Sequence, residues 1–205
     1  MKIRLLEATE TVCTRIGFQN VALQDILEAA DVARGTFYAH FESLHDAIAL
    51  VARKLINDAQ ADHLELYASV SDPLLRIAVG PQLFLTRAAL QPAWASTIIE
   101  SGELLPRSTF VRAIRRDVLN NMRQHNFPRR DPQAAVDLHV GAMIQGSRSL
   151  QRRLRNQREY IMSVDFNLLV ALGASEAKAA EMVEIAAEDL RGRAPTKLDW
   201  WRDLS

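Results

Sequence analysis

The sequence predicts an all-α protein, and three observations predict it. Apolar residues recur three and four positions apart along most of the chain, the period of an amphipathic helix. Only 8 Gly and 7 Pro occur among 205 residues, and the chain is rich in the good helix formers Ala, Leu, Arg and Glu. Capping residues and Xaa-Pro pairs stand where several of the periodic stretches begin, at Ser43, Asp72-Pro73, Gln91-Pro92, Ser108, Asp131-Pro132 and Ser175.

Taken in order, residues 2–16 form a first helix with Leu5, Leu6, Val12, Cys13 and Ile16 on its apolar side. Gly17 stops it, and Phe18 follows as a core anchor. A second helix carries Leu23, Ile26, Leu27 and Ala30 at helical spacing, and Asn20 is a candidate cap for it. Asp31 then stands where the turn needs a residue tolerant of positive φ. A third element opens at Arg34. Phe37 and Phe41 lie four apart on one face, which leaves Arg34, Thr36, Tyr38 and His40, each with a hydrogen-bond donor, pointing elsewhere. Two short helices with a buried seam and a donor-rich second member suit the DNA major groove. Gly35 costs that helix ~1 kcal/mol against Ala. Either a backbone or a phosphate comes close there, or the helix start is simply loose.

Ser43 with Asp46 reads as a capping-box start for a fourth helix over 44–69, long enough to join two domains. Gly80-Pro81 predicts that the helix over 73–90 is kinked or broken in two. A short helix follows Pro92 and ends near Ser101-Gly102, and 103–107 read as a loop. The helix over 109–124 turns Phe110, Val111, Ile114, Val118, Leu119 and Met122 inward and most of its arginines outward. Asp131-Pro132 opens a helix of roughly 22–25 residues whose seam runs Ala135, Leu138, His139, Ala142, Met143, Gly146 and Leu150. Its end is basic, with Arg148, Arg152, Arg153, Arg155 and Arg158. Helices over 159–172 and 175–191 complete the pattern, the last ending before Gly192, and the tail carries Trp200-Trp201.

Composition narrows the function. One cysteine excludes an internal disulfide, and Cys13 reads as a small core residue. Five scattered His and that Cys show no metal-ligand spacing, so neither a metal nor a cofactor is expected. Met1-Lys2 leads straight into an amphipathic segment rather than a signal peptide. No run reaches the roughly 18–20 apolar residues that span a bilayer. The expectation is a soluble, cytoplasmic chain with no membrane partner. No paired acid and base, nucleophile motif or phosphate loop suggests an enzyme. Net charge is zero, and the first 60 residues carry eight acids against six Lys and Arg, so DNA binding would rest on a few well-placed donors.

The first 48 residues resemble the DNA-binding domain of TetR/AcrR-type transcriptional regulators. The signature runs through Ile16-Gly17-Phe18, Asp25-Ile26, Val32, Arg34-Gly35-Thr36-Phe37-Tyr38, His40-Phe41 and Ser43 to Asp46. The resemblance implies a helix-turn-helix domain over 1–45 and a ligand-binding and dimerisation domain over 46–205. It makes 33–41 the recognition helix, with Arg34, Gly35, Thr36, Tyr38 and His40 toward a double-stranded DNA operator, Tyr38 at a phosphate, and Gln24 at the groove edge. Several of the family's phosphate grips are replaced here, by Val21, Ala22 and Leu44, and the chain begins almost inside its first helix, where many members carry a basic arm. Weaker nonspecific DNA binding than is usual in the family is the consequence.

For the larger domain the resemblance implies a small-molecule effector. Candidates to line its site are His63, Tyr67, Phe84, Trp94, Phe110, Met122, His139 and Met143, each of which can equally be core. His139 stands out as a lone polar group on an apolar seam. A homodimer is expected because a helix-turn-helix reader covers two half-sites. The small-residue seam at Leu138, Ala142 and Gly146, with Met182, Ile185 and Ala186, is the expected interface, against the alternative of packing within one chain. The function expected is a ligand-responsive regulator, most simply a repressor released by a small apolar or amphipathic molecule. The alternative is a similar module that has lost DNA affinity and acts through ligand or protein contacts.

Overall fold

The structure, a computed structural model, describes residues 1–67, 70–100, 108–152 and 154–204; the side chains of 59–65 and 67 lie outside the described set. The expectations for His63, Tyr67, Arg153 and the 103–107 loop therefore lie outside the described residues. Among the described residues there are ten α-helices and a single 3-10 turn, and no strand. No described helix is long and apolar enough to cross a membrane.

The first three helices and the start of the fourth enclose one core. α1 (Lys2–Ile16) buries Leu5, Ala8, Thr9, Val12 and Cys13. Gly17 ends it at φ 85°, and the 3-10 turn Phe18–Asn20 sends Phe18 inward. α2 (Leu23–Ala30) is not capped by Asn20, whose amide instead donates to the Ile16 carbonyl. The Asp25 carboxylate closes this end by accepting the Ala22 N–H at 2.8 Å. α3 (Arg34–Tyr38) is only five residues long, and Phe37 and Phe41 are both buried in the same core. α4 (Leu44–Tyr67) adds Ala47, Val51 and Ala52, and Ser43 caps it by accepting the Asp46 N–H.

A second, larger core begins at Ile56 of the same helix and runs to Trp201. Its axis is α5 (Pro73–Leu90), one uninterrupted helix rather than the kinked or broken pair that Gly80-Pro81 predicts. Every residue from Ile77 to Thr86 is buried, because α7, α8, α9 and α10 pack around it. That enclosure outweighs the hydrogen bond lost at Pro81. α6 (Pro92–Glu100) lies across α1 and the 3-10 turn as well as on α5 and α8. α7 (Thr109–Arg123) and α8 (Pro132–Leu150) pair next, each with its expected cap at Ser108 and Asp131. α8 has 19 residues, shorter than its sequence pattern suggests.

α9 (Gln157–Leu172) packs on both α8 and α10. It ends at Gly173, at φ 115°. α10 (Glu176–Lys197) runs five residues beyond Gly192 and through Pro195, because Leu190, Ala194 and Leu198 continue a buried stripe. The tail is docked, with Trp201 only 7% exposed.

Candidate nucleic-acid interface

The recognition segment is organised by one buried pair. Phe37 and Phe41 sit in the core with ring centres 5.2 Å apart, while Tyr38 is 47% exposed and turns its ring edge to Phe37 at 5.5 Å. The i, i+4 neighbour Arg34 lays its guanidinium over the Tyr38 ring at 5.7 Å. Arg34 and Gly35 are exposed, and Thr36 and His40 are half-buried beside them. Gly35 has open space on its Cβ side, so nothing among the described residues explains a glycine there.

The turn before α3 is held from behind. Asp31 takes the left-handed conformation at φ 48° and ψ 59°, as its position requires. Arg4 of α1 donates through Nε to the Ala30 carbonyl at 2.9 Å and through Nη2 to that of Asp31 at 2.9 Å. These are the carbonyls of the last residue of α2 and of its cap; those of Leu27 and Glu28 accept backbone N–H groups from the turn itself. Arg4, which sequence reasoning placed only in the charge count, is thus a strut of the helix-turn-helix. Gln24 is exposed, with its amide donating to Glu28 at 2.9 Å. Glu28 and Asp31 line the same groove as Gln24 and Arg34. Two acids therefore share the edge of this face with the two donors.

The two cores meet at α6. The Glu100 carboxylate accepts the backbone N–H of Phe18, and one of its oxygens lies 3.2 Å from where a Cβ on Gly17 would stand. Burial, and next the Glu100 charge, push the Cys13 thiol up to about 12.

The expected effector residues fall into the second core. Phe84 stands edge-on to Trp94 at 5.1 Å and stacks on Phe110 at 5.6 Å. Met122, His139 and Met143 are buried as well. Burial pulls the His139 pKa down to about 4, and its Nδ1 has no partner among the described residues. The structure opens a cavity elsewhere, of about 40 Å³, among α5, α9, α10 and the tail. None of the expected residues lines it. Gln82, Thr86, Ile161, Leu190 and Trp201 do. Behind them Gln82 Nε2 donates to Asp165 Oδ2 at 2.8 Å and to the Val183 carbonyl at 2.9 Å. Burial holds the Asp165 carboxyl well above the usual range, against a smaller lowering by the Gln82 hydrogen bond. The signal for this site was present but unread: Gln82 and Thr86 are two polar residues four apart in an apolar run, and Asp165 is a lone acid in another.

The expected dimer seam divides. Gly146, Met182 and Ala186 are buried within the chain, with Leu85 closed against Gly146, so these three are internal packing. Leu138 at 44% and Ile185 at 37% are the exposed members, and Ala142 is half-buried. The reason is rotation: α8 turns Val136 and Ser147 inward, and with them Leu138 outward. α9 contributes an open groove with α10, lined by Met162, Phe166, Ala180 and Glu184 among others.

Comparison with known proteins places these features. Residues 5–43 match the family model described as bacterial regulatory proteins, tetR family. No curated protein matches the chain in sequence. Among solved structures, RolR in complex with resorcinol is 21% identical, with a TM-score of 0.73, and the match covers 89% of this chain and 92% of that one. A TetR-family transcriptional regulator from Pectobacterium atrosepticum is 17% identical at a TM-score of 0.58, covering 83% of this chain and 89% of its own. The fatty acid degradation regulator FadR from Bacillus halodurans is 14% identical at 0.64, covering 85% and 97%. At these identities the likeness over the whole chain is one of fold, and the match to the tetR-family model is confined to residues 5–43, the part that holds α1, α2 and α3.

Proposed function

We propose that the protein is a ligand-responsive regulator of transcription that binds a palindromic operator as a homodimer and represses until a small apolar or amphipathic molecule releases it. The observation that carries this reading is the division of α3 and the residues after it. Phe37 and Phe41 are spent on the core, and Arg34, Thr36, Tyr38 and His40 remain outside it. A face so separated can contact phosphates and base edges without disturbing the fold. Gln24 and the open side of Gly35 extend the same face. Two copies are needed to set two such faces about one turn of DNA apart, ~34 Å. The exposed Leu138 and Ile185, with the α9–α10 groove, supply apolar surface for that pairing. The likeness of fold to RolR, whose structure was solved in complex with the ligand resorcinol, supports a small-molecule ligand.

The test is selection of bound sequences from a random duplex pool, followed by gel shift at fixed salt. A two-fold symmetric site bound by the native chain and lost in Tyr38→Ala, with sedimentation unchanged, is the expected result. An unaltered affinity in Tyr38→Ala removes the DNA-face assignment. The groove that Glu28 and Asp31 share with Arg34 favours a second reading, a module with little DNA affinity that acts through ligand or protein contacts. Selection that enriches no sequence decides for it.

A further inference from the structure

We propose that the cavity among α5, α9 and α10 is the effector site, that it takes a small hydroxylated carboxylic acid, and that residues 199–204 are its lid. The proposal rests on the ligand-responsive reading above and adds the site, the ligand chemistry and the path of response.

The polar groups come first. The Gln82 amide nitrogen spends both hydrogens, on Asp165 and on the Val183 carbonyl. That fixes the side chain and leaves its oxygen, which accepts from no described residue, on a residue that lines the cavity. Thr86, four residues along the same face, likewise has a hydroxyl without a partner among the described residues. Both side chains are buried, at 4% and 6% exposure. An acceptor and a hydroxyl on two otherwise buried residues thus open onto one cavity, where a guest can bond to both. A ligand hydroxyl, donor and acceptor at once, makes both bonds.

The remaining lining defines the rest of the ligand. Ile161, Leu190, Trp201 and Leu204 make an apolar wall. Arg158 and Arg191 face the same space with Asp203 as the one acid among the lining residues, so the mouth favours an anion. At about 40 Å³ the cavity holds a water or two. Anything larger must lift the tail, since Trp201, Asp203 and Leu204 form one side.

The tail is tied to the DNA-binding domain. The Arg87 guanidinium lies over the Trp200 ring at 5.2 Å and over the Trp94 ring at 4.7 Å. Trp94 belongs to α6, and α6 ends in Glu100, which holds the Phe18 N–H. Lifting the tail takes Trp200 off Arg87 and loosens a tie on the helix that contacts α1. Occupancy and DNA affinity are then coupled through one element with two positions.

The experiment titrates the full chain with meta-hydroxybenzoate, benzoate and phenol. It follows tryptophan fluorescence and, separately, release of the selected operator. Meta-hydroxybenzoate binds saturably, while benzoate and phenol each bind at least about tenfold more weakly, since each lacks one recognised group. Thr86→Val and Arg191→Gln each weaken the hydroxybenzoate by about tenfold, with thermal unfolding unchanged. Trp200→Ala cuts the lid's tie to Arg87 and loses the operator release. No saturable change with any isomer of hydroxybenzoate, or binding indifferent to Thr86→Val and Arg191→Gln, overturns the proposal. Release by some other molecule, without hydroxybenzoate binding, overturns this site and leaves the regulator reading standing. Hydroxybenzoate binding with no operator at all supports the ligand site and removes the regulatory reading instead.

Discussion

The carboxylate of Glu100, the last residue of α6, accepts the backbone N–H of Phe18, in the turn between α1 and α2. One hydrogen bond thus joins the larger core to the smaller across 82 positions of sequence. Removing the carboxylate in Glu100→Ala leaves that N–H without its partner, at a cost of about 1–3 kcal/mol if water cannot replace it. Operator binding should survive in this variant while its response to effector fades. Gel shifts with and without effector measure both. A full response in Glu100→Ala places the coupling elsewhere.

Cys13 reports on the same junction. With its thiol held at about 12, it carries almost no thiolate near neutral pH. Iodoacetamide should leave it unmodified in the native chain and label it once urea exposes it. Mass spectrometry of the labelled chain is the readout, and rapid native labelling contradicts the burial.

Gly35 separates fold from recognition. Nothing among the described residues lies within 4 Å of a Cβ there, and its φ is not positive. Gly35→Ala should therefore raise stability by about 0.5–1 kcal/mol. If DNA backbone approaches this position, operator affinity falls in the same variant. A urea midpoint that rises together with an unchanged gel shift takes Gly35 out of the interface.

His139 makes stability depend on acid. Its folded pKa of about 4 lies below the ordinary value of 6.5. The unfolded chain therefore binds the proton more readily, and stability falls as pH drops from 6.5 toward 4. The loss over that window is about 3 kcal/mol. Above pH 6.5 this residue contributes no pH dependence. Urea unfolding of the native chain and of His139→Leu at pH 7 and pH 5 checks it, the variant losing less on acidification.

Asp165 works in the opposite direction. Its folded pKa is raised, so the folded state is penalised as pH climbs above the ordinary carboxyl value and through the raised one. Asp165→Asn keeps an oxygen for the Gln82 donor and removes the ionisation. The variant should match the native chain near pH 4 and exceed its stability by about 1–2 kcal/mol at neutral pH. Equal stability across the range shows that the native carboxyl pays no such penalty.

What could be read from sequence was local. The all-α class, the stop at Gly17, the left-handed Asp31 and the inward pair Phe37 and Phe41 all depend on neighbours within about one helical turn. The caps at Ser43, Ser108, Asp131 and Ser175 are local in the same sense. Tertiary structure decided whatever depended on partners far along the chain. Pro81 stays inside one helix because helices packed all around supply what the backbone loses there. Gly146, Met182 and Ala186 became internal packing, and Leu138 stayed outside, because helix rotation is set by packing rather than by the apolar pattern alone. Gln82 meets Asp165 across 83 positions, and Arg87 meets Trp200 across the length of the larger domain. No period in a sequence records which residues of separate helices come to face each other, so the cavity and its lid were visible only once the helices were packed.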